Sequence, residues 1–177
     1  MITEAQAAAA TAVVNSTNTT ITKFNELKYF TNITESRGGI TGSANGNIRF
    51  GGWTALEEVD ISNFTSIGHN NGYAHEDTFE GCTSLKKVTA SSKLSKLGFN
   101  AFSRCSNLDT FTGLEGIIEV WDNAFYGCNK LPASFFSPLS FKLMSAHDSN
   151  ANNFYGCTLM TSIDIAEGTT VIPPRCF

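Results

Sequence analysis

A repeated motif constrains the fold of this chain more than any other feature. Each copy begins with an anchor, usually phenylalanine, with a cysteine three residues later and a leucine after three more, as in FEGCTSL at 79–85. The anchors are Ile21, Phe50, Phe79, Phe102, Phe125, Phe154 and Phe177. Successive anchors are therefore 29, 29, 23, 23, 29 and 23 residues apart. Fixed periods in this range predict a solenoid, in which similar units stack on one another to bury a continuous core.

Each anchor is followed by an apolar triplet whose last two members are two residues apart, the spacing of one face of a β-strand. We therefore expect one strand per repeat, all in one parallel sheet. The expected strands lie near residues 27–32, 56–61, 85–90, 108–113, 131–136 and 160–165. Apolar pairs before some anchors, such as Leu94 and Leu97, indicate a second extended segment, and the stretch from anchor to cysteine reads as a short helical turn.

The pattern Ala-Phe-x-x-Cys-x-x-Leu, preceded by a pair such as Ile67-Gly68, resembles the BspA-type bacterial leucine-rich repeat of gut and oral bacteria and some protists. The segment 21–31 is similar to the first segment of those arrays, and the resemblance covers roughly residues 20–177. Departures from the pattern are Trp53 in the cysteine position, Ser134 in a core position, and Asn32 and Gly113 at triplet ends. The resemblance implies a secreted or cell-surface protein that binds other molecules and carries no catalytic residues.

The expected architecture is an α/β solenoid with a short helical cap. Residues 1–20 form the predicted N-terminal cap, and residues 21–177 form the array of about six repeats of 23 or 29 residues. Thr3 and Gln6 match a capping box, which predicts a helix from residue 3 that stops near Val14. The segment 173–177 starts another repeat with no cap after it. The chain is interpreted either as a fragment of a longer array or as having an open end that contacts a partner or a second copy.

Composition excludes several function classes. A net charge of −4 without clustered Lys and Arg argues against nucleic-acid binding. No apolar run approaches the roughly 18 residues of a membrane span, and the acidic, Ala-rich start does not have the pattern of a signal peptide. The G-x-S-x-G, P-loop and H-E-x-x-H motifs are missing, so we expect neither an enzyme nor a cofactor.

Four of the five cysteines, Cys82, Cys105, Cys128 and Cys157, occupy one position of the repeat, and Cys176 occupies the position before an anchor. We expect the four to form a buried column of free thiols that behave as small apolar side chains. Disulfides are the alternative interpretation. A metal site is disfavoured because one cysteine per repeat lacks the C-x-x-C spacing of zinc ligands.

Three repeats are six residues longer than the others. The additional residues lie in Gly39–Ile48, His69–Asp77 and Ser145–Asn152, which are rich in Gly, Asn, Ser and His. Insertions of this kind map to loops on one side of a solenoid, often the binding side. All three histidines, His69, His75 and His147, fall in these loops, where we expect them to be solvated and not to bind a metal.

The outward residues of the predicted strands are the first candidate binding surface. The candidates are Tyr29, Glu58, Lys87, Thr89, Thr110, Thr112 and Phe135. Glu58 and Lys87 are expected to pair across neighbouring strands. Short polar side chains on a flat sheet suit contact with a protein or a glycan, and they equally suit plain solvation.

A second candidate surface contains Trp121, which occupies the position of Gly68 and Gly98, and Phe99 nearby. If this position faces water, the two rings form an apolar ledge, and Trp is enriched in interface hot spots. The alternative is that they pack against the long loops. Together these features predict non-catalytic binding of a protein or glycan at a bacterial surface. The competing hypothesis is a structural spacer, or a module that self-associates through its uncapped end.

Overall fold

The computed structural model describes residues 3–9, 19–32, 50–68, 78–135, 142–143, 151–162 and 172–177. These residues contain one α-helix, α1 (Glu4–Ala9), two 3₁₀ helices (Asn25–Tyr29 and Ala133–Phe135) and eight short strands. The strands are β1 (Lys23–Phe24), β2 (Glu58–Asp60), β3 (Ser66–Ile67), β4 (Lys87–Thr89), β5 (Lys96–Leu97), β6 (Thr110–Thr112), β7 (Glu119–Val120) and β8 (Lys142–Leu143).

The strands form two parallel sheets that run along a repeat solenoid. The first sheet has the order β1-β2-β4-β6, and the second has the order β3-β5-β7-β8. Parallel pairing is as the sequence predicts, but a single sheet with one strand per repeat is wrong. The second members of the apolar pairs before the anchors, such as Leu97 and Val120, lie in strands that form their own ladder. Because buried backbone N–H and C=O groups need partners, both extended sides of a coil pair with the next coil.

Three of the predicted strands are present, since 56–61, 85–90 and 108–113 contain β2, β4 and β6. Their central residues Val59, Val88 and Phe111 are register partners, and their side chains are buried in the core. In the sixth predicted strand, 160–162 have no strand, and 163–165 lie outside the described residues.

The strand predicted at 27–32 is wrong. The first three residues of this segment belong to the 3₁₀ helix Asn25–Tyr29, and the register partner of Val59 is Phe24, six residues before the expected Phe30. Leu27 and Phe30 are both buried, and a spacing of three residues also brings two side chains to one face of a helical turn. The apolar pattern therefore fitted a helical turn as well as a strand.

The strand predicted at 131–136 is also wrong, and Pro132 explains why. In the two preceding coils, Lys86 and Asp109 occupy the same repeat position, and their backbone N–H groups donate to the carbonyls of Glu57 and Lys86 on the coil before. Proline has no N–H, so this ladder bond cannot form. The chain instead forms the 3₁₀ helix Ala133–Phe135, in which the Phe135 N–H donates to the Pro132 carbonyl at 3.0 Å.

The anchor phenylalanines form the centre of the core, as predicted. Phe79, Phe102, Phe125 and Phe154 are at most 2% exposed. Neighbouring rings in this series are nearly parallel, with centroids 5.2, 5.9 and 5.7 Å apart. Phe50 and Phe177 continue the stack at its two ends, at 5.3 and 5.9 Å. Each anchor from Phe79 to Phe154 thus contacts the anchor of the coil before it and the anchor of the coil after it, whereas Ile21 is exposed and lies outside the stack.

Gly113 departs from the apolar triplet because the backbone leaves no room for a side chain. Its φ angle is +81°, and a Cβ atom would lie 2.4 Å from the carbonyl carbon of Ala90. Only glycine satisfies both the left-handed conformation and the close approach of the two coils.

The cysteine column predicted from the sequence is present. All five cysteines are buried and free of disulfides. The Sγ atoms of Cys82, Cys105, Cys128 and Cys157 each donate to the carbonyl of the preceding coil's anchor, at 3.0, 3.1, 3.1 and 3.3 Å. Desolvation raises the pKa of Cys82 and Cys157 to about 12 and raises the pKa of Cys105 and Cys128 well above the ordinary value.

Helix α1 begins with the capping box that the sequence predicts. The backbone N–H of Thr3 donates to Gln6 Oε1 at 2.8 Å, and the N–H of Gln6 donates to Thr3 Oγ1 at 3.2 Å. Ala7 is 2% exposed and belongs to the core, and Asn32 Nδ2 donates to the Ala8 carbonyl at 2.6 Å. The predicted remainder of the helix, residues 10–14, lies outside the described residues.

We predict that Phe102→Ala lowers the free energy of unfolding by about 3–5 kcal/mol, because it removes a fully buried ring from the middle of the stack. Urea unfolding monitored by circular dichroism measures the loss. Ile118→Ala is the control, since this side chain is 53% exposed and its loss should change stability by less than about 0.5 kcal/mol. A loss below about 1 kcal/mol for Phe102→Ala would show that the ring stack is peripheral to stability.

We also predict that Cys82, Cys105, Cys128 and Cys157 resist thiol reagents in the folded protein, because burial blocks access and raises the pKa of each thiol. A colorimetric disulfide reagent at about pH 8 should label these four only at the rate of unfolding. The same protein in urea, where all five cysteines should react, gives the control. Rapid labelling of any of the four in the native protein contradicts the buried column.

Candidate binding surface

The outward side chains of β2, β4 and β6 form two rows in register on the first sheet. We call this surface the strand stripe, and its members are Glu58, Asp60, Lys87, Thr89, Thr110 and Thr112. Glu58, Lys87 and Thr110 align across the strands, as do Asp60, Thr89 and Thr112. The inward residue between the two rows packs in the core, so the alternation of the strand turns both rows towards solvent.

The N-terminal half of the strand stripe carries ion pairs. Lys23 Nζ lies 2.6 Å from Glu58 Oε1, and Lys28 Nζ lies 3.2 Å from Asp60 Oδ2. Glu58 and Lys87 are register partners, as predicted, but the expected ion pair between them is replaced by the one between Glu58 and Lys23. The β1 residue Lys23 stands directly opposite Glu58 on the other side, a neighbour that the misaligned first repeat concealed.

These contacts change the pKa values of both carboxyl groups. The hydrogen bond from Lys23 lowers the pKa of Glu58. Burial opposes ionisation of Asp60, but hydrogen bonds from Ser62 and Lys28 outweigh it, so the pKa of Asp60 is also lowered. Both carboxylates are therefore charged at neutral pH and are already engaged with cations. Between them and Lys87 lies a shallow cavity of about 160 Å³, which Asn25 and Thr89 also line.

The C-terminal half of the strand stripe is uncharged. Thr110 and Thr112 are exposed, and Thr89 is half-buried. Thr110 Oγ1 donates to Asp109 Oδ1 at 2.8 Å. The strand stripe thus passes from ion pairs at its first strands to hydroxyl groups at β6.

Two aromatic residues predicted to face outward beside these strands do not do so. Phe135 is 7% exposed, and its ring packs on Phe111 and Phe125 with centroids 5.8 and 5.3 Å away. The 3₁₀ helix that follows Pro132 turns Phe135 inward and leaves Ser134, the expected core residue, exposed. Tyr29 is half-buried and packs against the core, with Lys28 Nζ 5.4 Å from the ring centroid.

The second candidate surface is more enclosed than predicted. Phe99 is 7% exposed, and its ring centroid lies 5.6 Å from that of the half-buried Trp121. Trp121 Nε1 donates to Glu119 Oε2 at 3.4 Å, and Glu119 Oε2 lies 3.2 Å from Lys96 Nζ. Only the Trp121 side of the expected ledge reaches solvent.

A third surface was not predicted from the sequence. Tyr126 and Tyr155 directly follow two anchors, and their rings stack with centroids 5.6 Å apart and planes 11° apart. The guanidinium carbon of Arg104 lies 6.0 Å from the Tyr126 centroid. The position directly after the anchor could have indicated this surface. It holds no apolar core residue in any copy, and it is tyrosine in two consecutive copies.

The remaining candidates are a metal site and a membrane-spanning helix. Among the described residues, no group of three or more His, Cys, Asp or Glu side chains is arranged to hold a metal ion. His69, His75 and His147 are outside the described residues. No helix in the described part of the chain is both long and apolar enough to cross a membrane.

We predict that Asp60→Asn destabilises the protein by about 1 kcal/mol at neutral pH, because the carboxylate loses its ion pair with Lys28. The folded pKa lies below the ordinary 3.8, so this stabilisation is present above pH 3.8 and disappears as the pH falls through the lowered value. Urea unfolding of both proteins across this range measures the difference. Glu115→Gln, an exposed control, should change stability little at any pH. A cost for Asp60→Asn that does not shrink in acid would contradict the assignment.

Comparison with known proteins identifies the repeat. A solved structure described as a leucine rich cell surface protein from Faecalibacterium prausnitzii A2-165 is 24% identical in sequence, with a TM-score of 0.30. The match covers 85% of this chain and 51% of that one, so this chain spans about half its length. No curated protein matches the sequence. The BspA type leucine rich repeat region matches in six copies over residues 14–132 and 46–177, and the chain therefore belongs to that family.

Proposed function

We propose that this chain is a non-catalytic binding module that contacts a protein or a glycan through the strand stripe. The observation that carries the proposal is the register of β2, β4 and β6, which aligns two rows of accessible polar side chains along the array. Solenoids typically bind partners through extended surfaces of this kind, where each coil adds one contact to the next.

The chemistry of the strand stripe favours a polar ligand. Lys87 is exposed, whereas Glu58 and Asp60 are ion-paired with Lys23 and Lys28. Three lysines and two carboxylates are thus present, and together they carry one excess positive charge. This charge favours a ligand that brings hydrogen-bond acceptors or an anionic group. The Thr112 hydroxyl can donate and accept, and the Thr110 hydroxyl, which already donates to Asp109, can still accept, as saccharide hydroxyls and peptide groups require.

We extend the proposal to the organisation and location of the protein. Helix α1 caps the first coil, since Ala7 enters the core and Asn32 bonds to the helix backbone. Residues 1–20 are then the cap and residues 21–177 the binding array. The family also motivates a cell-surface or secreted location, in which a module of this kind serves adhesion.

A screen of the purified chain against arrays of glycans and of soluble proteins tests the function. For any ligand found, we predict that Thr110→Glu combined with Thr112→Glu weakens binding about tenfold or more, because two larger and negatively charged side chains obstruct the outward side of β6 and repel an anionic ligand. The melting temperature should stay nearly constant, since both threonines are exposed.

Ser92→Glu provides the control, because it adds a glutamate at an exposed position outside the strands. It should bind the ligand as the unmodified protein does. Normal binding by the double threonine variant, together with loss of binding in Trp121→Ala, would place the site on the second sheet and refute the proposal.

A further inference from the structure

A row of exposed and half-buried side chains runs along the turns that follow the anchors, apart from the outer face of either sheet. Arg104, Tyr126 and Tyr155 come from three successive coils, and we call them the Arg–Tyr track. The Tyr155 residue is 51% exposed, and the Arg104 side chain is 67% exposed. Arg and Tyr are two of the residue types that most often dominate binding energy at protein interfaces.

The backbone at Arg104 is unusual for its residue type. Its φ angle is +60°, in the left-handed region that disfavours residues with a Cβ atom. The equivalent position in the other described coils is occupied by glycine, at Gly52, Gly81, Gly127 and Gly156, all with positive φ. The coil therefore holds a strained arginine where glycine fits without strain. Strain of this kind is tolerated where the side chain has a use.

The contacts of the Arg104 side chain leave most of its guanidinium N–H donors unused. Arg104 Nη1 lies 3.5 Å from Glu80 Oε1, and the group rests near one face of the Tyr126 ring. Guanidinium has five N–H donors in a fixed fork, so one contact of this length leaves most of them available to a ligand. Arg175 lines a shallow cavity together with Tyr126 and Tyr155, so a second arginine borders the same region.

The geometry of the rings argues for a peptide over a sugar. Arg104 lies near one face of Tyr126 from the preceding coil, and Tyr155 covers the other face from the following coil. A saccharide that stacks on aromatic residues needs an open ring face, which Tyr126 lacks. Around Tyr126, the accessible groups are therefore the ring edge, the phenol hydroxyl and the guanidinium N–H groups of Arg104. Ring edges carry partial positive charge, and the other groups donate hydrogen bonds.

We propose that the Arg–Tyr track is a second interaction surface, which binds an acidic peptide segment of a protein partner. Carboxylates of the segment bind the free N–H groups of Arg104 in the bidentate arrangement that guanidinium favours, and its backbone carbonyls accept from the tyrosine hydroxyls. The proposal does not depend on the strand stripe, because no residue of the strand stripe belongs to the track.

The test uses a fluorescently labelled oligomer of L-glutamate and the intact chain. Fluorescence anisotropy should show saturable binding that weakens when salt rises from about 10 mM to about 150 mM. Arg104→Gln should weaken binding about tenfold, and Tyr126→Ala combined with Tyr155→Ala should weaken it at least as much. Lys93→Gln removes one positive charge from an exposed residue outside the track and should bind as the unmodified chain does.

Arg104→Gly separates binding from stability. Glycine relieves the positive φ angle, so this variant should melt at the same temperature or higher while it loses binding as Arg104→Gln does. A purely structural arginine would lower the melting temperature when replaced. The proposal is overturned if the oligomer does not bind, if Lys93→Gln loses as much affinity as Arg104→Gln, or if polygalacturonate binds the track more tightly than the peptide.

Discussion

The stacking of one phenylalanine ring on the next sets the geometry on which the other features depend. The anchor rings repeat at 5.2–5.9 Å along the core, close to the distance between adjacent strands of a sheet. The anchor backbone adds a second link, because its carbonyl accepts a hydrogen bond from the cysteine thiol of the next coil. Ring and carbonyl together fix each coil against its neighbour, so both sheets continue in register from one coil to the next.

This division of roles explains where the candidate binding residues lie. Positions that face the core repeat the same residue types, since a change there disturbs two neighbouring coils as well as its own. Outward positions are free of that requirement. Their side chains differ from coil to coil, from Glu58 to Lys87 to Thr110 on the first sheet. A solenoid of this kind can therefore alter what it binds while its core remains constant.

The sequence predicted the features that repeat and missed those set by a single residue. The anchor stack and the cysteine column followed directly from their recurrence in several copies. The strand at 131–136 was predicted from apolar spacing alone, and the missing N–H of Pro132 decided otherwise. The first repeat was misaligned because Leu27 and Phe30 fit a helical turn as well as a strand.

The candidate site was predicted less well than the fold. Glu58, Lys87, Thr89, Thr110 and Thr112 lie on the predicted face, but the aromatic residues expected beside them are half-buried or buried. The Arg–Tyr track was missed because its contacts join different coils. Arg104 and Tyr126 occupy non-equivalent positions of their repeats, so no alignment of copies places them together.

The coil-by-coil stack also determines how the chain would respond to mechanical force. A folded coil advances the array by about 5 Å, the distance between adjacent strands. The same 23 residues, drawn out fully, span roughly 75–80 Å. Because each coil is held only by its neighbours, tension along the axis can release one coil at a time and leave the rest folded. Release of a 23-residue coil would lengthen the chain by roughly 70 Å, release of a 29-residue coil would lengthen it by roughly 90–100 Å, and each release would lower the tension.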